Sequence, residues 1–216
     1  MLNFCSLYSG SSGNCLFVES ENAKILIDAG VSLKKIESGL EAINVSPESL
    51  DGILITHEHS DHIQSLGNLS KKFNLPVFAN SETFDAMPKQ TDKISTENIN
   101  KFKIQEKFSI KDIEITPFSI PHDAANPCGF SISCKNDTLS IATDIGHINN
   151  DILKQLESSK FILLESNYDT EVLKCSKYPF HLKQRIAGPN GHLSNDIASK
   201  VINHLLHSNL KTAMLG

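Results

Sequence analysis

Apolar runs of four or five residues alternate with turns rich in Gly, Asn, Asp and Ser along most of the chain. Cys15-Leu16-Phe17-Val18-Glu19 and Lys24-Ile25-Leu26-Ile27-Asp28 read as a hairpin around Ser20-Glu21-Asn22. Ser32 suits the cap of a helix in which Leu33, Ile36, Leu40 and Ile43 share one stripe. Ser46-Pro47-Glu48 marks one short helical turn. Gly52-Ile53-Leu54-Ile55-Thr56 is short and apolar, the pattern of a strand covered on both faces. Helix is predicted from His62 to Phe73, and strand over Leu75-Pro76-Val77-Phe78-Ala79. Further strands are predicted at 101–105, 108–120, 129–134, 138–143 and 161–164, with a helix over 149–158. A last helix starts near Ser194 with Ile197, Val201 and Leu205 on one stripe. Strands first and helices interleaved later, with no repeat or low-complexity linker, predict one layered α/β domain over 1–216 with helices outside.

Composition narrows the function. The 216 residues carry 20 Lys plus Arg against 25 Asp plus Glu, a net charge of −5. A general polyanion binder would be basic overall, so any nucleic-acid contact must come from a local patch or from metal ions. No apolar run approaches the roughly 20 residues that span a bilayer, and Met1-Leu2-Asn3-Phe4-Cys5-Ser6 lacks the basic and apolar regions of a signal peptide. The five cysteines are odd in number and include no CxxC pair, so they are expected as reduced thiols of a cytoplasmic protein. Nine histidines, several beside carboxylates, are the conspicuous excess.

The strongest motif is Thr56-His57-Glu58-His59-Ser60-Asp61-His62, directly after a buried strand. Alternate residues of an extended segment share a face, so His57 and His59 can act together. Asp61 and His62, at the turn into a helix, can serve a second position. Imidazole with carboxylate suits Zn²⁺, Mn²⁺ or Fe. Glu58 points away in an extended reading and is not counted. Two more candidates follow predicted strands, His122 in Pro121-His122-Asp123 and Asp144 in Thr143-Asp144-Ile145-Gly146. A strand-end His and a strand-end Asp are what a two-metal site still lacks.

With His57-x-His59-x-Asp61-His62, His122 and Thr143-Asp144 in view, the chain resembles the metallo-β-lactamase fold superfamily. Asp28, in Ile27-Asp28-Ala29-Gly30, matches that superfamily's early acidic position, a support behind the ligand loop. Ser9-Gly10-Ser11-Ser12-Gly13-Asn14, Leu164-Glu165-Ser166-Asn167, Tyr178-Pro179, Leu182-Lys183-Gln184-Arg185-Ile186 and Gly191-His192-Leu193-Ser194-Asn195 look like its bacterial YycJ/WalJ-type branch of metal-dependent DNA exonucleases or phosphodiesterases. The resemblance covers essentially the whole chain. It implies a four-layer αββα sandwich. Two departures stand out. The branch commonly has His where this chain has Tyr168. The superfamily also has one more histidine ligand after its last strand, here Thr212–Leu215, so a chain truncated at the C-terminus is expected.

The resemblance further implies two divalent ions, Zn or Mn: one held by His57, His59 and His122, the other by Asp61, His62 and Asp144, with Asp144 bridging. Such a pair lowers the pKa of its water and neutralises charge on a phosphoryl oxygen, giving a metal-activated hydroxide without a side-chain base. Asp61 and His192 are the catalytic candidates, His192 as a phosphate contact or proton donor beside a helix start. His147, His181, His204 and His207 read as loop or helix-surface residues. Lys174 to Arg185 holds Lys174, Lys177, Lys183 and Arg185 with Tyr178 and Phe180 interleaved and no acidic residue, a pattern that can follow a nucleic-acid backbone. Ser11, Ser12, Asn14, Asn167, Lys183 and Arg185 are the substrate-binding candidates. The expected function is DNA phosphodiester hydrolysis in the cytoplasm, without membrane association. The alternatives are a thioester, lactone, β-lactam or RNA hydrolase on the same scaffold, and a non-catalytic binding module. Fold does not decide among them.

Overall fold

A computed structural model describes residues 1–206 and 209–216; His207 therefore lies outside the described residues. The chain divides into two compact bodies, Met1–Thr116 with Ala124–Asn126, and Pro117–Asp123 with Pro127–Gly216.

The first body opens with three antiparallel strands, β1 (Asn3–Tyr8), β2 (Cys15–Glu19) and β3 (Lys24–Ile27). Helix α1 (Leu33–Ala42) follows, then β4 (Gly52–Leu54), α2 (Ser60–Ile63), α3 (Leu66–Phe73), β5 (Val77–Asn80), α4 (Ser81–Ala86), α5 (Pro88–Thr91) and β6 (Ile99–Phe102). The six strands form one sheet in chain order, parallel from β3 onward. Its ladder puts Cys5, Phe17, Leu26, Ile53 and Val77 side by side on one face. Ile36 and Leu40 of α1 and Leu66 and Leu69 of α3 close over that face. Each such burial contributes about 1.5–3 kcal/mol. Hairpin β7 (Phe108–Ile110) and β8 (Ile113–Ser119) ends this body, turning at Lys111 with φ 52°. The single strand expected over 108–120 is thus two.

β8 carries the chain into the second body, which adds β9 (Cys128–Cys134), β10 (Asp137–Ala142), α6 (Asn150–Glu157), β11 (Phe161–Leu164), α7 (Thr170–Cys175), α8 (Phe180–Ile186), α9 (Asn195–Leu205) and β12 (Thr212–Leu215). The sheet order is β12-β11-β10-β9-β8, with β7 as hairpin partner of β8. Ala142, Ile162 and Leu164 pack under Ile152 and Leu156 of α6 and Ala198, Val201 and Leu205 of α9. The expected α9 stripe is corrected by one position: Ala198 is buried, while Ile197 is 41% exposed. Ser194 caps α9 as expected, accepting the Ile197 N–H, and Asn149 caps α6.

No described helix is long and apolar enough to cross a membrane. No disulfide joins the five cysteines. Burial, then the nearby Asp28 carboxylate, push the Cys15 thiol far above its ordinary range, whereas Cys175 is exposed. An aromatic disulfide reagent should therefore modify Cys175 rapidly in the native protein and reach Cys15 only on unfolding. Peptide mapping of the labelled sites checks this.

Candidate metal centre

In the first body the His57–His62 loop leaves the end of β4 and is held by backbone hydrogen bonds to two other segments. Asp61 O accepts the Asn14 N–H at 2.8 Å, Asn14 O accepts the Gly30 N–H at 2.8 Å, and His62 O accepts the Ala29 N–H at 2.7 Å. Three chain segments thus cross at van der Waals contact. A Cβ on Gly30 would fall 1.6 Å from Asp61 O, and one on Gly13 2.2 Å from Gly30 O. The helix expected from His62 to Phe73 breaks after Ile63 because Ser65 is drawn to the neighbouring loop: its N–H bonds Ala29 O and its hydroxyl bonds Val31 O.

Behind the loop lies Asp28, 2% exposed and at φ 62°. It accepts the Thr56 N–H and the Thr56 hydroxyl, each at 2.9 Å, and His62 Nδ1–H at 2.8 Å. This decides two tautomers. A carboxylate only accepts, so His62 carries its proton on Nδ1. The single Thr56 hydroxyl proton goes to Asp28, so the 3.0 Å contact with His57 Nδ1 is donated by the imidazole. In their neutral form both rings then present an Nε2 lone pair, the form a metal requires. Asn14 reads the same polarity: its Oδ1 accepts the Gly10 N–H, and its Nδ2–H donates to His62 Nε2 at 3.1 Å. The His57 ring lies 4.6 Å from that of His59 and 4.1 Å from that of His62. Asp61 Oδ2 is 3.7 Å from His62 Nε2. Glu58 accepts the Ala125 N–H at 2.8 Å.

The second body builds its own cluster at the ends of β8, β10 and β11. His122 is buried, and its Nδ1–H donates to Gly191 O at 3.1 Å, which again leaves the lone pair on Nε2. Burial lowers its pKa below the usual histidine value, against the pull of Asp144 and the Gly191 carbonyl, so it is neutral near pH 7. Asp144 follows β10 at φ 55°, with Oδ1 3.5 Å from His192 Nδ1.

Glu165, the residue after β11, was not among the sequence-derived candidates. It is 4% exposed and accepts the Ile145 N–H at 2.8 Å, the Leu193 N–H at 2.9 Å and His192 Nδ1–H at 2.7 Å. One carboxylate thereby holds both the turn after Asp144 and the His192 loop. A Glu directly after a buried strand is the signal that would have found it, the same signal that marks Asp144. Burial acts to lower the His192 pKa, but the hydrogen bond and charge of Glu165, with Asp144 and Asp123, outweigh it and raise the pKa. Asp144, Glu165 and His192 have ligand atoms within 4.8 Å of one another.

The remaining candidates fall less centrally. Ser11, Ser12 and Asn167 are exposed. Lys183 Nζ donates to Lys174 O at 2.6 Å, and Arg185 Nε donates to Asp123 Oδ2 at 2.6 Å, so neither cation stands alone. His147 bonds Pro189 O and His204 meets Glu157. Tyr168 bridges to Ser194, and burial, then Glu165, raise its pKa.

Imidazoles with oriented lone pairs and adjacent carboxylates at strand ends fit a divalent metal ion, and with two sheets that each carry helices they define a metal-dependent hydrolase. Residues 23–210 match the profile of the beta-lactamase superfamily domain, and the chain belongs to that family. It is 37% identical over 198 residues to exodeoxyribonuclease YycJ of Bacillus anthracis, covering 92% of this chain and 75% of that protein. It is 38% identical over 212 residues to exodeoxyribonuclease WalJ of Streptococcus pneumoniae, covering 97% of this chain and 79% of that one. The crystal structure of the metallo-β-lactamase fold protein YhfI from Bacillus subtilis superimposes over 100% of this chain and 85% of that one, with TM-score 0.74 and 17% identity. The expected metallo-β-lactamase fold is the fold of this chain.

Proposed function

We propose that this chain is a cytoplasmic DNA phosphodiesterase of exonuclease type that works with two divalent ions, Zn or Mn. The ligands this reading takes are His57, His59, Asp61, His62, His122 and Asp144. The observation that carries the reading is the set of acceptors behind the histidines. Asp28, Thr56 and the Gly191 carbonyl each take an Nδ1 proton, which supports Nε2 coordination by the neutral rings of His62, His57 and His122. The identity to two exodeoxyribonucleases supports DNA as substrate.

When bound, the ions would supply a nucleophile at neutral pH and neutralise charge on the phosphoryl group. The protein's own residues do the rest. Asp28 and Thr56 hold the His57 and His62 rings against rotation. Glu165 fixes the His192 ring through Nδ1 and favours its charged form, so His192 Nε2–H is suited to give a proton to the leaving oxygen. Asn14 keeps an N–H donor beside His62 Nε2.

The test is digestion of 5′-phosphorylated duplex DNA with added Mn²⁺ or Zn²⁺, comparing the parent with Asp61→Ala, alongside metal content by atomic emission. The parent should degrade DNA and carry two ions per chain. Asp61→Ala should lose at least about 100-fold in rate, because removing a ligand costs more than the 10- to 100-fold typical of a residue behind one. Equal rates would overturn the assignment.

A further inference from the structure

The α7–α8 hairpin contributes almost nothing to the core. Leu173 is the one buried residue of α7 and α8 has none, yet between and along these helices large apolar side chains lie in water: Tyr178 is 54% exposed and Phe180 74%. Solvating a phenylalanine to that extent on a helix that covers no core has no structural return. The surroundings give it a chemical character. Lys177 and His181 flank the two rings and are exposed, and the run from Lys174 to Arg185 has no acidic member in a protein of net charge −5.

The hairpin is also anchored. Lys183 Nζ on Lys174 O ties α8 to α7, and Arg185 Nε on Asp123 Oδ2 ties α8 to the residue beside His122. Phe180 stands five positions before Arg185, about 7.5 Å along a helix axis at roughly 1.5 Å per residue. That is about the rise of two nucleotides, at roughly 3.4 Å each along a strand.

We infer that Tyr178 and Phe180 form a stacking platform for unpaired bases of a DNA end, with Lys177 on its phosphates. The inference rests on the nuclease reading and deepens it, by specifying that the strand reaches the metal centre single-stranded. Bases in duplex keep their faces covered by stacking partners, whereas an unpaired base offers a π-face to any exposed aromatic ring, without sequence preference. The adjoining cations account for attraction to a polyanion, which a neutral apolar partner would not need.

The experiment measures fluorescence anisotropy of a duplex with a short single-stranded overhang and of the same duplex blunt-ended, with parent, Phe180→Leu, Phe180→Trp and Tyr178→Leu proteins. Melting of each variant is followed to confirm folding. The parent should prefer the overhang. Each Leu variant should bind it about 5- to 150-fold more weakly, the range for losing one base–aromatic stack, with blunt-end binding little changed. Phe180→Trp should retain the preference, because stacking and not aliphatic bulk is at work. Parent-like overhang binding by both Leu variants would overturn the platform and leave the nuclease reading standing, provided the parent still degrades DNA. A parent that neither binds nor degrades any DNA would remove both. Loss of binding to overhang and blunt end alike in the Leu variants would also overturn the platform, since a stack on unpaired bases predicts a selective loss.

Discussion

Gly30→Ala is expected to cost more stability than alanine at Gly10, Gly13, Gly39, Gly52, Gly67, Gly129, Gly146, Gly188 or Gly191. The new Cβ would sit 1.6 Å from the Asp61 carbonyl oxygen, 2.2 Å from its carbonyl carbon and 2.8 Å from Asn14 N. None of these is the tip of a flexible side chain. All three are backbone, and they are already engaged: Asn14 N donates to Asp61 O while Gly30 N donates to Asn14 O. Overpacking a core that can shift costs about 1–3 kcal/mol. Here relief requires moving the loop that carries Asp61 or breaking two buried hydrogen bonds, so a loss above about 4 kcal/mol is expected. Urea unfolding measures it, and atomic emission on any folded fraction should show less bound metal. A midpoint within error of the parent would mean that the three segments are not packed as described. Gly10 is the natural control. A Cβ there meets nothing within 4 Å, although its φ of 129° still adds backbone strain, so Gly10→Ala should cost distinctly less.

Asp28→Asn should separate metal affinity from folding. With the amide oxygen kept on the Thr56 N–H, the NH₂ group takes the place of the oxygen that now accepts from the Thr56 hydroxyl and from His62 Nδ1. Donor then faces donor. The Thr56 hydroxyl can rotate, but His62 has to move its proton from Nδ1 to Nε2, the nitrogen assigned to the metal. Metal affinity should fall about 10- to 100-fold or more, while stability falls only about 1–3 kcal/mol. Competition for zinc against a chromophoric chelator, together with thermal melting, reads the two effects independently. Asp28→Ala should lose as much affinity and more stability, because it leaves the buried Thr56 N–H without its acceptor. Unchanged zinc affinity in Asp28→Asn would refute the tautomer assignment.

What could be read from the sequence was what is local in it. The His57–His62 motif packs its donors into six positions, and the runs that form β2, β3, β4 and β11 announce themselves by β-branched and apolar character. Features made by distant partners were hidden. Ser65 interrupts the expected helix through bonds to Ala29 and Val31, which no helical periodicity reports. The β7–β8 turn uses Lys111 in the left-handed region, a residue that carries no turn signal. Glu165 is a single carboxylate whose partners come from positions 145, 192 and 193, so its role exists only once those loops have converged. The α7 and α8 helices lacked a periodic apolar stripe to betray them, because they bury so little.

Asp28 and Asp144 share a backbone trait: both sit at positive φ, 62° and 55°. In that region L-residues crowd their own carbonyl at about 1–2 kcal/mol, with Asn, Asp and Gly the tolerant exceptions. Conservative exchange therefore fails in both directions. Glutamate would retain the negative charge but strain the main chain and lengthen the reach; asparagine or glycine would suit the main chain but abandon the anion. Laboratory evolution starting from this protein should find each of these two positions closed to stepwise drift, and any improved variant should carry its changes elsewhere.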